Sequence, residues 1–170
     1  MQKKEALSQF QTRLADRLAS TGIEREQSSA NWLAVEIANE GFVLPLGQSG
    51  EIFPWCEPQP IPYTKEWFLG VANLRGALCG VVSLTKYLEL ESQAEDSKTA
   101  LQDRRLVGFH PSFELNTVFI VDKLVGLKNQ GQMEATGQAN LYRDSLGKTW
   151  RELDLGKLSK TATFTNVAQN

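Results

Sequence analysis

The side chains of this sequence that are best suited to chemistry are one arginine, one histidine, two cysteines and a few neighbouring carboxylates. Arg75 lies near the middle of the most apolar run, WFLGVANLRGALCGVVSLTKYL, residues 67 to 88. Burying a guanidinium without a partner costs several kcal/mol. We therefore expect that Arg75 either faces water at a turn or is paired with another group.

The other reactive residues form no recognisable catalytic or metal-binding pattern. His110 is the single histidine, and no G-x-S-x-G segment supplies a serine nucleophile for a triad built around it. Cys56, Cys79 and His110 are fewer than the four ligands of a structural zinc site and lack the usual spacing. The carboxylates of residues 89–96 lie in a polar segment and are predicted to be solvated. We expect no enzyme, no metal and no cofactor, and an esterase that uses His110 is the weakest alternative.

Length, charge and cysteine count restrict the class of protein. The 170 residues, 41% of them hydrophobic, suffice to bury the core of one compact unit or of two small packed ones. A net charge of −2 gives no clustered basic face for nucleic acid. The N-terminal residues have no apolar signal-peptide core, no uncharged run approaches the roughly 20 residues that span a bilayer, and two distant cysteines suit reduced thiols. We expect a cytosolic protein that binds no nucleic acid and does not insert into a membrane.

An amphipathic helix is predicted near the N-terminus, because Leu7, Phe10, Leu14 and Leu18 recur at helical spacing among charged residues. Together with a polar connector it makes up a segment of residues 1–30. Two interpretations of the helix stay open: it packs across the body of the protein, which is favoured, or it is an arm that binds a partner.

Short apolar segments with turn signals between them follow from Trp32 onward. The predicted strands include WLAVEIA and FVLPLG, joined by the hairpin signal NEG, and then EIFPW, GALCGVVSL, LVGFH, NTVFIVDKLVGL, ANLYRD and KTWRELDL. GALCGVVSL should be buried, because its β-branched and small residues run together without alternation. LTKYLEL and GKLSKTATF are predicted short helices, the proline-rich CEPQPIPYTKEW an extended or looped path, and residues 89–105 a loop or frayed helix. This pattern predicts a mostly β chain of the barrel or sandwich class.

The run GVANLRGALCGVVSL resembles the CheW-like family, the coupling proteins of bacterial chemosensory arrays. The resemblance rests on G-x-x-N-L-R-G followed by a V-x-x-L strand and extends over roughly residues 31 to 158. Further matching positions lie upstream of the motif: Glu51, Ile52, Pro62, Trp67 and Phe68. The closing segment TWRELDLGKLSKTATFTNV and the N-terminal helix are similar to the branch called PilI, which serves type IV pili and twitching motility.

The resemblance implies a fold and a function. The expected fold is two small SH3-like five-stranded β-barrels that share a hydrophobic interface, with an N-terminal helix and short helices. Residues 31–170 would form this CheW-like domain of two intertwined barrels. The implied function is a non-enzymatic adaptor between the cytoplasmic tip of a methyl-accepting chemoreceptor and the regulatory domain of a CheA-type histidine kinase. It would act in the cytoplasm, at receptor arrays of the inner membrane.

The resemblance also implies receptor-binding residues, which are Glu51, Gly70, Asn73, Leu74, Arg75 and Gly76. It leaves the kinase-binding surface unknown. Trp55 and Ile61 have two open interpretations, an exposed apolar anchor or the core, and the core is favoured. Gly80 and Ser83 depart from the family, which commonly has a proline and an aspartate there. Glycine frees a backbone donor and loosens the strand, whereas serine can still cap the following helix.

Asn73 to Gly76 are predicted to form a tight connection between two strands, with Arg75 presented at the rim of an apolar surface and Glu51 as its candidate partner. The structural alternative is that Arg75 only satisfies turn carbonyls and stabilises the barrel. The functional alternative is a regulatory β-barrel in which Arg75 binds a small anionic ligand. That protein would contain a cavity with converging polar groups, whereas an adaptor would have a filled barrel.

Overall fold

The computed structural model describes residues 31–92 and 98–168, which form two β-sheets and a few short helices. The first sheet contains β1 (Trp32–Ile37), β2 (Glu40–Pro45), β8 (Lys123–Lys128), β9 (Glu134–Ala135), β10 (Leu141–Arg143) and β11 (Thr149–Glu152). The second sheet contains β3 (Ser49–Pro54), β4 (Phe68–Leu74), β5 (Ala77–Val82), β6 (Arg105–Phe109) and β7 (Thr117–Val121). The helices are α1 (Leu84–Tyr87), α2 (Lys98–Asp103), α3 (Leu155–Lys160) and α4 (Ala162–Thr165). The predicted N-terminal helix and connector lie outside the described residues.

The chain forms two strands of the first sheet, then all five of the second, and then returns to the first. The strand order is β8-β1-β2-β11-β10-β9 in the first sheet and β3-β6-β7-β5-β4 in the second. Pairing is antiparallel except between β2 and β11 and between β5 and β7. The second sheet is therefore built from the middle of the domain, between the two parts of the first.

Buried side chains form three clusters. One belongs to the first sheet and contains Trp32, Ala34, Val43 and Trp150. Another belongs to the second sheet and contains Ala72, Leu74, Cys79, Val81, Leu106 and Val118. The third combines both sheets with α3 and α4, and includes Val35, Phe42, Val82, Phe119, Leu155 and Phe164. Since β1 contributes to the first and the third cluster, its two faces are both buried, as alternation along a strand requires. The third cluster is the hydrophobic interface that the two sheets share.

The β1–β2 hairpin turns one residue earlier than predicted. Its two turn residues are Ala38 and Asn39, with φ of 51° and 63°, which is the two-residue turn that suits the twist of a hairpin. Gly41 of the NEG signal lies inside β2, where a Cβ would lie 2.9 Å from the Trp150 ring. The glycine therefore serves the packing of a ring and not the turn.

Two strand predictions needed correction. NTVFIVDKLVGL is not one strand but two, because the chain passes from the second sheet to the first at Asp122, between β7 and β8. GALCGVVSL forms β5, but the prediction of a buried strand was wrong for its beginning, since Ala77 is exposed and Leu78 is 64% exposed. Local apolarity reveals neither which sheet a strand joins nor which element covers it.

The predicted short helices are confirmed at both places. Ser83 caps α1 by accepting a hydrogen bond from the Lys86 backbone N–H at 3.3 Å, which confirms that serine can cap this helix. GKLSKTATF, predicted as one helix, is part of two, α3 and α4, which are separated at Thr161 and extend one residue beyond the segment at each end. Residues 98–103 of the polar segment are the helix α2. Within the described ranges, none of the helices has the length and apolarity needed to cross a bilayer.

Candidate functional site

The segment from Asn73 to Gly76 connects β4 and β5 through a two-residue turn. Leu74 pairs with Ala77, which leaves Arg75 and Gly76 as the turn residues, with φ of 51° and 84°. The side chain of Asn73 accepts a hydrogen bond from the backbone N–H of Gly76 at 2.9 Å. Asparagine therefore stabilises this turn locally, and glycine adopts the left-handed conformation without the strain of a Cβ.

Arg75 is both exposed and paired. Its side chain is 73% exposed and forms an ion pair with Glu51, whose side chain is 46% exposed. The guanidinium carbon also lies 5.7 Å from the centre of the Phe53 ring. Among the described residues no turn carbonyl accepts a hydrogen bond from Arg75, so its contacts are not those of the structural alternative. An exposed ion pair contributes only about 0–1 kcal/mol to stability, and its main effect here is to orient the guanidinium.

Gly70 lies where the proline-rich segment packs against β4. It is buried, with φ of 135°, and a Cβ at this position would lie 1.9 Å from the carbonyl oxygen of Gln59. Val71 and Gln59 exchange two backbone hydrogen bonds of 2.8 and 2.9 Å. Glycine therefore allows the proline-rich segment to lie directly against β4.

The six implied receptor-binding residues thus divide into two groups. Gly70 and Leu74 are buried, and Asn73 and Gly76 form the turn. Arg75 and Glu51 present their charged groups at the surface. The exposed pair offers the chemistry that a partner could recognise, and the other four residues hold it in place.

The sequence reasoning did not identify two apolar residues that are near the hairpin or part of it. Phe53 lies beside the Arg75 guanidinium, and Leu78 lies opposite Asn73 across the hairpin. A signal for Leu78 existed: if the turn is at Arg75 and Gly76, residues 73 and 78 pair and their side chains share one face. The apolar run around Leu78 instead predicted burial.

Gly80 makes one hydrogen bond, and leaves one space, that a proline could not. Its backbone N–H donates to the carbonyl of Asn116 at 2.8 Å, which adds a hydrogen bond between β5 and the segment before β7. A Cβ at this position would lie 2.9 Å from Cε2 of Phe68. In this chain the departure from the family's proline therefore strengthens the ladder and makes room for an aromatic ring.

The other reactive side chains have structural environments. His110 caps the 3-10 turn Pro111–Phe113 by accepting a hydrogen bond from the Ser112 backbone N–H at 3.2 Å. Burial raises the pKa of the Cys79 thiol, which keeps it protonated and unreactive at neutral pH. Across the described ranges, no group of three or more potential ligands is arranged to hold a metal ion.

Two grooves of moderate size do not involve Arg75. One of about 500 Å³ is lined by Lys148 and Arg151, but these cations are paired with Glu36 and Glu40. Another of about 590 Å³ is lined by residues of both signs: Lys86, Glu89, Arg104 and Asp122. Neither groove offers the surplus of unpaired positive groups expected of a small-anion site. That alternative stays a prediction.

Trp55 and Ile61 lie in different environments. Trp55 is partly buried, packs against the cluster of the second sheet, and has the Arg104 guanidinium 5.1 Å from its ring centre. Ile61 is 41% exposed. The favoured core interpretation therefore fits Trp55 but not Ile61.

Comparisons with known proteins agree with this architecture. A family model described as CheW-like domain matches residues 31–145. Protein PilI of Pseudomonas aeruginosa is 30% identical over 115 residues, which cover 66% of this chain and 61% of that protein. The crystal structure of the scaffolding protein TtCheW from Thermoanaerobacter tengcongensis has a TM-score of 0.54 at 17% identity, covering 73% of this chain and 88% of that one. The likeness confirms the predicted class of two SH3-like β-barrels. The first sheet differs from the predicted five strands by a sixth, two-residue strand, β9.

Proposed function

This chain belongs to the CheW-like domain family, and we propose that it couples a chemoreceptor to a CheA-type histidine kinase as a non-enzymatic adaptor. It binds the cytoplasmic tip of a methyl-accepting receptor and the regulatory domain of the kinase. The complex lies in the cytoplasm, at receptor arrays of the inner membrane. The likeness to PilI supports a role in type IV pilus function and twitching motility. The match covers only 61% of PilI. The pilus-related role is therefore proposed for this chain by similarity to part of that protein.

The observation that carries the proposal is the exposed Arg75–Glu51 pair at the tip of a self-contained hairpin. A guanidinium that is oriented by a carboxylate and an aromatic ring has N–H donors left for the acceptor of a partner. Its position on a rigid turn lowers the entropy that a partner must remove on binding. Glu51, Gly70, Asn73, Leu74, Arg75 and Gly76 together form the proposed receptor-binding element.

The proposed role needs no catalytic centre. His110 caps a 3-10 turn, and Cys79 is buried in the core. An adaptor instead requires stable surfaces on a fixed frame, which the three hydrophobic clusters provide.

The proposal is tested by replacing Arg75 with alanine and measuring binding to the signalling tip of a chemoreceptor from the same organism. We expect Arg75→Ala to keep the circular dichroism spectrum and the affinity for the kinase regulatory domain, but to lose receptor binding. Undiminished receptor binding would contradict the proposal. Loss of the fold would instead support a structural role for Arg75.

Arg151 provides a closely matched control on the other sheet. It pairs with Glu40 at 3.4 Å, the two side chains are 52% and 45% exposed, and its guanidinium lies 5.7 Å from the centre of the Phe42 ring. Arg151→Ala therefore removes a similar exposed ion pair and a similar cation–aromatic contact. We expect it to leave receptor binding unchanged.

A further inference from the structure

In the described part of the chain the two sheets are connected at two places, and Asp122 lies at the second of them, between β7 and β8. Its carboxylate faces two different groups. One oxygen accepts the hydrogen bond from the Ala38 N–H at 2.8 Å, and the other lies 3.9 Å from Nε of Arg104. Asp122 therefore connects the β1–β2 turn of the first sheet with an arginine that directly precedes β6 of the second sheet.

Arg104 is in contact with an aromatic ring as well as with this carboxylate. Its side chain is 15% exposed, and its guanidinium carbon lies 5.1 Å from the centre of the Trp55 ring. A planar guanidinium can lie over a ring while its N–H groups face an acid, which an ammonium group cannot do equally well. Trp55 in turn packs against the hydrophobic cluster of the second sheet. Arg104 thus joins that cluster to the connection between the sheets.

The contact between Arg104 and Trp55 is also linked to the proposed receptor-binding element. Trp55 directly follows β3, the strand from which Glu51 and Phe53 contact Arg75. Phe53 and Trp55 pack against the same hydrophobic cluster. Side-chain contacts therefore run from the Arg75 hairpin along β3 to Arg104, and from there to the first sheet.

The hydrophobic interface of the two sheets differs in kind from these polar contacts. Apolar attraction is non-directional and depends mainly on the area removed from water. A partly buried network of charged and aromatic groups has preferred distances and directions, and such a network rigidifies its surroundings when its members are satisfied. The contacts around Asp122 are therefore suited to fix how one sheet is oriented relative to the other.

We propose that Arg104 is a positioning residue: it fixes the orientation of the two sheets, and this fixed geometry lets receptor binding control the kinase. Coupling between distant surfaces of one protein is carried by packed side chains, polar networks and rigid elements. The inference rests on the proposed coupling function and extends it from the binding of partners to the transmission of a signal. It assigns no partner contact to Arg104, whose side chain is largely buried.

The first test measures the orientation of the sheets in the full-length chain without a partner. Spin labels on ketone-bearing unnatural residues at the exposed positions of Leu78 and Leu127 report the distance between β5 and β8, and both cysteines stay unlabelled. We expect a narrow distance distribution with Arg104 present and a broader one in Arg104→Gln. Glutamine is polar but lacks the charge and the planar fork of donors. Distributions of equal width would overturn the inference.

The second test measures signalling in a complex of the full-length chain with a receptor and a kinase from the same organism. We expect Arg104→Gln to bind each partner separately within about twofold of the wild-type affinity, as for sites that act independently. Receptor control of kinase activity should fall by at least about fivefold, the lower end of typical coupling effects. Arg104→Lys should not restore control, because lysine keeps the charge but not the planar contact with Trp55. Undiminished control in Arg104→Gln would overturn the inference.

Two further variants separate this role from general destabilisation. Arg105→Gln changes the neighbouring arginine, whose Nη1 donates to the backbone carbonyls of Gln102 and Arg104 at 2.6 and 2.8 Å. It should leave both measurements unchanged, and a loss of control in this variant would contradict the assigned role. Asp122→Asn keeps an acceptor for the Ala38 N–H but removes the charge that faces Arg104. It should behave like Arg104→Gln, and it provides the same test if that variant does not fold.

The outcomes distinguish this inference from the proposed function. If the wild type binds neither the receptor nor the kinase, the coupling function is wrong and the inference is overturned with it. If the wild type couples its partners and Arg104→Gln couples them equally well, the coupling function stands and only the positioning role is wrong.

Discussion

Two hairpins of this molecule turn through the same backbone geometry but are held by different groups. Ala38 and Asn39 in the first sheet, and Arg75 and Gly76 in the second, all have positive φ between 51° and 84°. The first turn is buried at Ala38, which is 5% exposed, whereas the second presents an arginine that is 73% exposed.

The partners of the two turns explain this difference. The N–H of Ala38 donates to the Asp122 carboxylate at 2.8 Å, and the Asp122 N–H donates to the Glu36 carbonyl at 2.9 Å. The β1–β2 turn is therefore tied to the point where the chain passes from β7 to β8. The backbone of the β4–β5 turn is instead held by the side chain of Asn73, within the hairpin, and Glu51 on β3 pairs with its Arg75 side chain. A turn that needs no distant support keeps its outer side free for a partner.

Replacing Asp122 should have the largest effect, because it releases the buried turn. Asp122→Ala removes the acceptor of the Ala38 N–H, and hydrogen bonds to charged groups contribute about 1.5–3 kcal/mol. We expect the free energy of unfolding in urea to fall by about 2 kcal/mol. Asp122→Asn keeps an acceptor and should lose less. Receptor binding by the folded protein should not change, and a selective loss of binding without destabilisation would contradict the comparison.

Replacing Asn73 should have a smaller effect on stability and a larger one on binding. Asn73→Ala removes a single neutral hydrogen bond in an exposed turn, which contributes about 1 kcal/mol. The loosened turn no longer holds Arg75 in one orientation, so receptor affinity should fall although Arg75 is present. Asn73→Asp keeps the acceptor and serves as the control in the stability measurement. If Asn73→Ala destabilised the protein as much as Asp122→Ala, the β4–β5 turn would not be self-contained.

The same contrast explains which turn could be predicted from the sequence. Asn73 and Gly76 carry the signal of the β4–β5 turn within four residues, and the prediction was right. The β1–β2 turn uses Ala38, which does not favour positive φ, and its support comes from Asp122, 84 residues away. The local signal NEG, residues 39–41, includes the turn residue Asn39 but ends at Gly41, whose small size is required by the Trp150 ring. Signals within a turn are visible in a sequence, and long-range support is not.

The candidate site was predictable to a similar extent. The resemblance pointed to Arg75 and Glu51, and these residues do form a pair at the surface. Leu78 was missed because its exposure depends on what lies over the β4–β5 hairpin, which an apolar run does not record. Gly70 was included as a contact residue, but its burial by Gln59 became visible only in three dimensions.

Low pH should reduce the stabilisation provided by the β10–β11 turn but not that provided by the β4–β5 turn. This is the smallest of the expected effects. Asp144, between β10 and β11, accepts hydrogen bonds from Trp150 Nε1 at 2.9 Å and from the backbone N–H groups of Leu146 and Lys148 at 3.0 Å. The Trp150 bond is the main cause that lowers the pKa of this carboxyl below its usual value. The β4–β5 turn uses the neutral amide of Asn73, which does not titrate in this range.

The sign of the pH dependence follows from the lowered pKa of Asp144. A carboxyl that is more acidic in the folded state stabilises the protein fully above its unfolded pKa of about 3.9 and loses this contribution as the pH falls through the folded value. The stability difference between wild type and Asp144→Asn should therefore be constant near neutral pH and shrink below about pH 4. The difference between wild type and Asn73→Ala should stay constant over the same range. Urea unfolding at several pH values measures both, and an Asn73 difference that also shrinks in acid would contradict the assignment of this contribution to the neutral Asn73 hydrogen bond.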